Sequence, residues 1–261
     1  MSHHYTIVAN WKMNLDIQQS EKLVENLQKK IKPHTHVTNV VCPSFVALPA
    51  ISEIAEKDKL RVGAQDIAEA DSGLYTGDVS GPMLKGLIEY VIVGHSEKRK
   101  NDHDVDTKIA KKLSAAIRND FIPILCVGDR LNDREEGLSK RVIVDQLHVC
   151  LSELTADEIK GMKIVYEPVW AISTGDGHGN FAKPDDVSKM VTVIRQTIEE
   201  LYGEAASSQV EVLYGGSVNP DNCRAFLELE DIQGLLVGGA SLNYEQFSKI
   251  VTETQKIADG K

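Results

Sequence analysis

Three ionisable side chains adjoin strand-like runs of apolar residues, and their types are those that proton transfer requires. Lys12 follows the run YTIVANW, His95 ends the run YVIVGH, and Glu167 lies within KIVYEPV. A carboxylate can remove a proton next to a carbonyl group, an imidazole can polarise that carbonyl, and a cation can stabilise the negative charge that develops. The three residues therefore predict acid–base chemistry on a carbonyl compound, through an enediolate.

Two glycine pairs follow the last two strand-like runs and indicate an anion site. Gly215 and Gly216 precede Ser217, and Gly238 and Gly239 precede a segment that can begin a helix. Glycines allow backbone N–H groups to approach an anion closely, and the N-terminus of a helix favours negative charge. With Lys12 nearby, these turns predict a small phosphorylated ligand.

Each of these residues also has a structural interpretation when it is taken alone. Lys12 can be a solvated charge, His95 can cap a helix, Glu167 can pair with a cation, and Ser217 can belong to an ordinary turn. The functional interpretation is favoured because all of them fall at the carboxyl ends of strands, and in a parallel barrel these ends meet on one face.

Other chemistries find less support. Ser217 lacks the GxSxG turn that exposes a serine nucleophile. His34 and His36 form a weak metal signal without a third ligand nearby, and a solvated loop is the favoured interpretation. The sequence therefore predicts neither a metal nor a cofactor.

The elements that must position these residues are short β-branched runs that alternate with amphipathic helical segments. The runs are apolar on both faces, as expected for buried parallel strands. Such alternation fits a closed barrel or an open doubly wound sheet, but eight units in about 250 residues favour the barrel. No GxGxxG follows the first run, which argues against an open dinucleotide-binding sheet. We predict an α/β fold, a single (β/α)8 barrel domain over 1–261, with strands at 5–11, 37–43, 60–66, 90–95, 122–128, 163–169, 210–216 and 234–239.

Composition limits the class of partner and the compartment. The formal net charge of −10 argues against nucleic acid or an anionic membrane as partner. The four cysteines lack CxxC spacing and are predicted to be reduced thiols. Neither a signal peptide nor an apolar run of membrane-spanning length is recognisable. We expect a cytoplasmic protein.

Seven segments closely resemble the signature segments of the triosephosphate isomerase family, in the family's order and along nearly the whole chain. The resemblance implies a TIM barrel that forms a homodimer without a cofactor. It further implies interconversion of dihydroxyacetone phosphate and D-glyceraldehyde 3-phosphate, in glycolysis and gluconeogenesis. The segments are NWKMN (10–14), YTGDVS (75–80), VIVGHSEKR (91–99), CVGDRLNDREEG (126–137), YEPVWAISTG (166–175), LYGGSV (213–218) and LLVGGASL (235–242).

The resemblance also implies a role for individual residues. Glu167 corresponds to the general base, His95 to the electrophile, Lys12 to the electrostatic stabiliser, and Glu97 to the acidic partner of Lys12. A lid loop at about 168–183 is expected to close over the site. The remaining correspondences are substrate contacts at Asn10, Lys12, Ser173, Ser217, Gly238 and Gly239, lid and clamp residues at Pro168, Trp170, Ile172 and Leu236, and a dimer contact at Thr76.

Some positions depart from the family pattern. Ser173 replaces a glycine, and the exit of the lid is longer, so altered closing kinetics or a tolerated insertion are both open. Asp78, Lys98 and Asp104 replace a longer Glu–Arg–Glu set, which predicts a weaker dimer contact or a neutral drift. Asp129 replaces a glutamate that would brace Trp170.

Two alternatives to the isomerase stay open at this point. One is a different phosphate-binding barrel, such as a sugar-phosphate isomerase of amino-acid biosynthesis, which would lack the set of Lys12, His95 and Glu167. The other is a non-catalytic binding protein on the same fold, against which the presence of all three residues argues.

Overall fold

The computed structural model describes residues 4–172 and 181–260. Eight parallel strands pair in chain order, and β8 pairs with β1 to close the sheet into a barrel. The strands are β1 Tyr5–Asn10, β2 Val37–Cys42, β3 Arg61–Ala64, β4 Tyr90–Val93, β5 Ile122–Val127, β6 Lys163–Tyr166, β7 Glu211–Tyr214 and β8 Gly234–Val237. The predicted (β/α)8 barrel is confirmed, whereas the extent of a single domain over 1–261 stays a prediction.

Helices cover the outside of the barrel. The α-helices are α1 Ile17–Lys30, α2 Leu48–Ile54, α3 Gly81–Leu84, α4 Ser96–Asn101, α5 Asp106–Arg118, α6 Leu131–Glu135, α7 Ser139–Cys150, α8 Pro184–Tyr202, α9 Glu204–Ser207, α10 Cys223–Leu227 and α11 Tyr244–Ala258, and short 3-10 helices cover Phe45–Ala47, Val169–Ala171 and Gly239–Leu242. The amphipathic character predicted for the helical segments is present in α1, where Leu23, Val24 and Leu27 are buried.

The strand sequences explain the two cores. Successive side chains on a strand point to opposite faces, so a strand inside a barrel of helices needs apolar residues at nearly every position. One cluster fills the barrel interior, including Val8, Val40 and Ile124. The neighbouring positions Ile7, Val41 and Leu125 belong to the larger cluster that includes the helices.

The observed strands end earlier than the predicted ones. His95 lies after β4, and Glu167 lies directly after β6. Pro168 has no N–H group to donate, so the chain cannot pair with both neighbouring strands beyond β6. The chemical residues are therefore on the loops at the rim rather than on the strands.

Three statements follow for the described part of the chain. All four cysteines are buried and unpaired. No helix there has both the length and the apolar character needed to cross a membrane. Within 4–172 and 181–260, no group of three or more His, Cys, Asp or Glu side chains is placed to hold a metal ion.

Candidate active site

The carboxyl ends of β1, β4, β6, β7 and β8 surround a cavity of about 200 Å³. Most of the residues singled out in the sequence line this cavity, although they come from distant parts of the chain. Val218 and Ala240 also line it, and the sequence analysis did not select them. The predicted residues in its wall are Asn10, Lys12, His95, Glu167, Ile172, Gly215, Gly216, Ser217, Leu236, Gly238 and Gly239.

Glu167 is a buried carboxylate with two hydrogen-bond donors. One oxygen lies 3.0 Å from Nε2 of His95, and the other accepts the backbone N–H of Ser96 at 3.0 Å. Burial raises the pKa of Glu167, but the hydrogen bonds from His95 and the Ser96 N–H group and the charge of Lys12 outweigh burial, so the pKa lies below its ordinary value. The carboxylate is therefore ionised at neutral pH and able to accept a proton.

His95 stands at the N-terminus of α4, and its hydrogen bonds identify the tautomer. The backbone N–H of Glu97 donates to Nδ1 at 3.2 Å, so Nδ1 must be unprotonated. The ring proton is therefore on Nε2, which faces Glu167. Burial lowers the pKa of His95, whereas the carboxylate of Glu167 raises it, and the net shift is upward. The Glu97 N–H group that donates to Nδ1 opposes protonation of that nitrogen. We therefore assign a neutral ring with an Nε2–H donor.

Lys12 has a backbone conformation that residues other than glycine rarely adopt, with φ of +53°. Its Nζ lies 2.6 Å from Oε1 of Glu97, and its backbone N–H donates to Oδ1 of Asn10 at 3.1 Å. The Nε2 group of Gln65 donates to the Lys12 carbonyl at 2.8 Å. Gln65 was missed, although its position directly after the third strand, on the same rim, was a usable signal. These bonds direct the ammonium group into the cavity.

A side chain would not fit at Gly215 or at Gly216, the glycine pair after β7. A Cβ on Gly215 would lie 2.5 Å from Cγ1 of Val165 and 3.0 Å from Cγ of Glu167. Gly239 begins the 3-10 helix Gly239–Leu242, so its N–H group is at the start of a helical turn. Such a turn can present backbone donors to an anion. The hydroxyl of Ser217 donates to the Ala171 carbonyl at 2.9 Å, so it must leave that bond before it can donate to a ligand.

Asp129 braces the segment that follows Glu167. It is fully buried and accepts hydrogen bonds from Nε1 of Trp170 at 3.1 Å, the Tyr166 hydroxyl at 2.8 Å and the Ser139 hydroxyl at 2.6 Å. The guanidinium carbon of Arg134 lies 3.9 Å from the centre of the Trp170 ring. The predicted contact of Asp129 with Trp170 is present, whereas the hydrogen bonds of Asp129 with Tyr166 and Ser139 and the contact of Arg134 with Trp170 were not foreseen.

The structure describes the expected lid loop at residues 168–172 and 181–183. Pro168 precedes the 3-10 helix Val169–Ala171, and Ile172 and Leu236 both line the cavity. Ser173 and the rest of the lid to 180 lie outside the described residues.

Lys98 and Asp104, two of the three charged residues that depart from the family pattern, form several ion pairs. Lys98 binds Asp66 at 3.0 Å and also contacts Asp102. Asp104 binds Lys112 at 2.6 Å and Lys108 at 2.7 Å. The sequence analysis did not name these partners, and the shorter side chains still form ion pairs within one chain. Thr76, the predicted dimer contact, is exposed.

Comparison with known proteins identifies the family. A sequence model of the triosephosphate isomerase family matches residues 5–254. The triosephosphate isomerase of Clostridium tetani is 42% identical over 246 residues, which is 94% of each chain. That of Clostridium botulinum (strain Loch Maree) is 39% identical over 94% of this chain and 97% of its own. That of Moorella thermoacetica is 41% identical over 95% of this chain and 98% of its own. The chain belongs to the triosephosphate isomerase family.

Proposed function

We propose that this chain interconverts dihydroxyacetone phosphate and D-glyceraldehyde 3-phosphate with Glu167 as base, His95 as hydrogen-bond donor and Lys12 as cation. Membership of the family gives the reaction, an intramolecular aldose–ketose isomerisation that belongs to glycolysis and gluconeogenesis. The roles of the residues are supported by one observation above all. Carboxylate, neutral imidazole and ammonium group line the same small cavity.

The proton transfer follows from these positions. The Glu167 carboxylate removes a proton from the carbon next to the substrate carbonyl, and the electron pair of that C–H bond forms the enediolate. The Nε2–H group of His95 donates to the developing oxyanion, and the charge of Lys12 stabilises it. Return of the proton to the neighbouring carbon, with transfer of the hydroxyl proton to the former carbonyl oxygen, completes the isomerisation, so no other reactant is consumed.

The hydrogen bonds of Glu167 imply a rearrangement when substrate binds. Its oxygens are held by the Ser96 N–H group and by Nε2 of His95. A carboxylate held in this way cannot reach a substrate carbon at the same time. We therefore expect Glu167 to leave these donors in the complex, which frees the His95 Nε2–H group for the substrate oxygen.

The cation needs a partner while the site is empty. Glu97 supplies it, because its Oε1 lies 2.6 Å from Nζ of Lys12. We assign Glu97 the role of orienting this ammonium group, and Asn10 a substrate contact through the side chain that also fixes the Lys12 backbone.

The glycine turns are assigned to the phosphate group. Gly238, Gly239 and Ser217 supply contacts on the described side of the cavity, and Ser173 supplies one from the lid. The lid loop at about 168–183, with Pro168 and Trp170 at its start, excludes water from the enediolate, because exposure to water allows the phosphate to be eliminated. Ile172 and Leu236 cover the base with apolar surface.

A homodimer is supported by exposed apolar side chains on loops after neighbouring strands. Met13 follows β1, Val46 follows β2, and Leu74 and Tyr75 follow β3, with exposures of 96%, 69%, 103% and 46%. Apolar groups concentrated on one region of a surface indicate a protein interface. We assign this region, with Thr76 on the same loop as Leu74, to the contact with a second copy in a cytoplasmic enzyme that uses no cofactor.

The test is coupled turnover of D-glyceraldehyde 3-phosphate by the wild type, by Glu167→Asp and by the exposed control Glu25→Asp. The active-site change withdraws the carboxylate by one methylene and keeps its charge. We expect kcat to fall by about 100-fold or more for Glu167→Asp and to stay unchanged for Glu25→Asp. Undiminished turnover by Glu167→Asp would remove it from the role of base. A folded wild type without turnover would favour the binding-protein alternative.

A further inference from the structure

Gln146 makes a paired contact with the backbone of Gly128, which lies directly after β5. The backbone N–H group of Gly128 donates to Oε1 of Gln146 at 2.8 Å, and Nε2 of Gln146 donates to the Gly128 carbonyl at 3.0 Å. The side-chain amide of Gln146, on α7, thus forms hydrogen bonds with both the N–H and the C=O group of Gly128. A flexible loop residue does not need two hydrogen bonds to one side chain. The contact therefore indicates that the segment around Gly128 must keep a fixed position.

Gly128 packs against the backbone of the proposed base. A Cβ at position 128 would lie 1.8 Å from the carbonyl oxygen of Glu167 and 2.8 Å from its carbonyl carbon. No side chain can occupy that space, so the two backbones are in direct contact. A shift of Gly128 therefore moves Glu167 or opens a gap behind it.

The segment on either side of Gly128 also holds the segment that carries Glu167. The Glu167 N–H group donates to the Val127 carbonyl at 2.8 Å, and the Val169 N–H group donates to the Asp129 carbonyl at 3.0 Å. Residues 127–129 therefore continue the pairing of β5 with β6 beyond the ends of both strands. Gln146 binds the one residue of this segment that lies between the two carbonyl acceptors.

We propose that Gln146 is a positioning residue for the catalytic base, acting through Gly128. Its amide fixes residues 127–129, and their backbone fixes the height and direction from which the Glu167 side chain enters the cavity. Gln146 does not line that cavity, so it acts without touching substrate. The inference rests on the role proposed for Glu167 and extends it to a helix on the outside of the barrel.

The position of Gln146 determines which kinetic constant responds. Misplacing a catalytic group by about 1 Å costs up to about 100-fold in rate, even when the substitution is remote. Apart from Ser173 on the lid, the contacts proposed for the phosphate lie on the loops after β7 and β8, away from α7. Loss of Gln146 should therefore lower kcat and leave KM nearly unchanged.

The chain contains a matched control in Gln28. Its Nε2 donates to the Ile54 carbonyl at 3.2 Å, and its Oε1 accepts the Glu56 N–H group at 2.5 Å. It is another glutamine on an outer helix whose amide bonds both to a backbone donor and to a backbone acceptor, but it has no contact with the segment around Glu167. Replacing either glutamine by leucine removes equivalent hydrogen bonds and keeps the size of the side chain.

The experiment measures kcat, KM and thermal unfolding for Gln146→Leu, Gln28→Leu, Gln146→Glu and Glu167→Asp, with Gln146→Leu repeated in the Glu167→Asp background. For Gln146→Leu we expect kcat to fall by about 10- to 100-fold with KM within about twofold of the wild type. Gln146→Glu keeps the acceptor for the Gly128 N–H group and should retain part of the lost rate. Gln28→Leu should lower thermal stability and leave kcat per folded enzyme unchanged.

The double variant tests whether Gln146 acts through Glu167. Residues that act on one geometry give effects that do not add. In the Glu167→Asp background, Gln146→Leu should cost less than about threefold, because the carboxylate is already displaced. A full multiplicative loss would show that Gln146 acts elsewhere and would overturn the proposal.

The outcomes separate this inference from the proposed function. If Glu167→Asp keeps full turnover, the role of Glu167 is wrong, and the inference is refuted with it. If Glu167→Asp loses turnover while Gln146→Leu only unfolds earlier, as Gln28→Leu does, Gln146 is a structural residue and the inference alone is refuted. If Gln146→Leu does not fold, a wild-type kcat for Gln146→Glu refutes the inference, and a reduced kcat with unchanged KM supports it.

Discussion

Lys112 is a buried lysine whose removal should be among the most destabilising single charge changes in the described part of this chain. Its residue is 3% exposed, and its Nζ lies 2.8 and 2.9 Å from the two oxygens of Asp66 and 2.6 Å from Oδ2 of Asp104. Lys112→Met keeps most of the length of the side chain and removes the ammonium group. Two carboxylates then lose a cation that they share.

The expected magnitude follows from the burial of these partners. Removing one member of a buried ion pair costs about 3–5 kcal/mol, because the remaining charge is left without compensation. The Asp104 side chain is fully buried, but it keeps Lys108, and Asp66 keeps Lys98. We therefore expect the lower end of the range, about 3 kcal/mol of unfolding free energy. The control Lys108→Met removes a cation whose side chain is 39% exposed, and it should cost less than about 1 kcal/mol.

The pH dependence has a definite sign. Burial raises the pKa of Asp104, but the hydrogen bonds from Lys108 and Lys112 lower it by a larger amount. The pKa in the folded state therefore lies below the ordinary value of 3.8. Asp104 therefore contributes stability that is present above pH 3.8 and is lost as pH falls through the folded pKa. Without Lys112 the pKa of Asp104 rises, and the carboxyl group is neutralised at a higher pH. The difference in unfolding free energy between the wild type and Lys112→Met should therefore become smaller as the solution is acidified.

The assay is urea unfolding at one fixed protomer concentration, since association also stabilises the folded chain. It is run at neutral pH and close to pH 3.8. A loss at neutral pH no greater than that of Lys108→Met would refute the buried-charge argument. A difference that stays constant on acidification would refute the assignment of the effect to Asp104.

Two further predictions concern the strained backbone of His103 and the carboxylate of Glu211 at the start of β7. His103 is exposed and has φ of +53°, so His103→Gly should raise stability by about 0.5–1 kcal/mol in thermal unfolding, and an unchanged melting temperature would contradict the strain. Burial raises the pKa of Glu211, but hydrogen bonds from His4, Lys163 and Thr6 lower it further, so its stability contribution is present above pH 4.5 and lost as pH falls through the folded pKa. Glu211→Gln should therefore flatten the acid side of the plot of unfolding free energy against pH, and an unchanged slope would show that Glu211 is not the group that titrates.

The boundaries of the strands illustrate a limit of sequence patterns. Val169 lies beyond the observed end of β6, and Gly215 and Gly216 follow the end of β7, so the pattern alone extends these strands too far. A strand ends where its backbone ceases to pair with both neighbours, and that depends on the residues opposite. The error did not affect the site, because residues one or two positions beyond a strand end still lie on the same rim.

The supporting residues of the site escaped the sequence analysis for a different reason. Gln65, Ser139 and Gln146 lie outside the seven signature segments, and Arg134 lies within one of them without a role of its own. Their roles depend on what the closed barrel brings next to them, such as the Lys12 carbonyl for Gln65 and the Trp170 ring for Arg134. Until its neighbours are known, a polar residue on a helix is explained equally well by exposure to solvent as by a contact that supports the site.

By itself the sequence determined the alternation of strands and helices, and with it the rim on which Lys12, His95 and Glu167 meet. Parallel strands joined by helices have their carboxyl ends on one face, so residues far apart in the chain converge without any knowledge of their distances. The tertiary structure alone decided the state of these groups. The tautomer of His95 depends on the Glu97 N–H group at Nδ1, and the charge of Glu167 depends on the balance of burial against nearby donors. Both are set by atoms a few ångströms away, and only the folded chain defines which atoms those are.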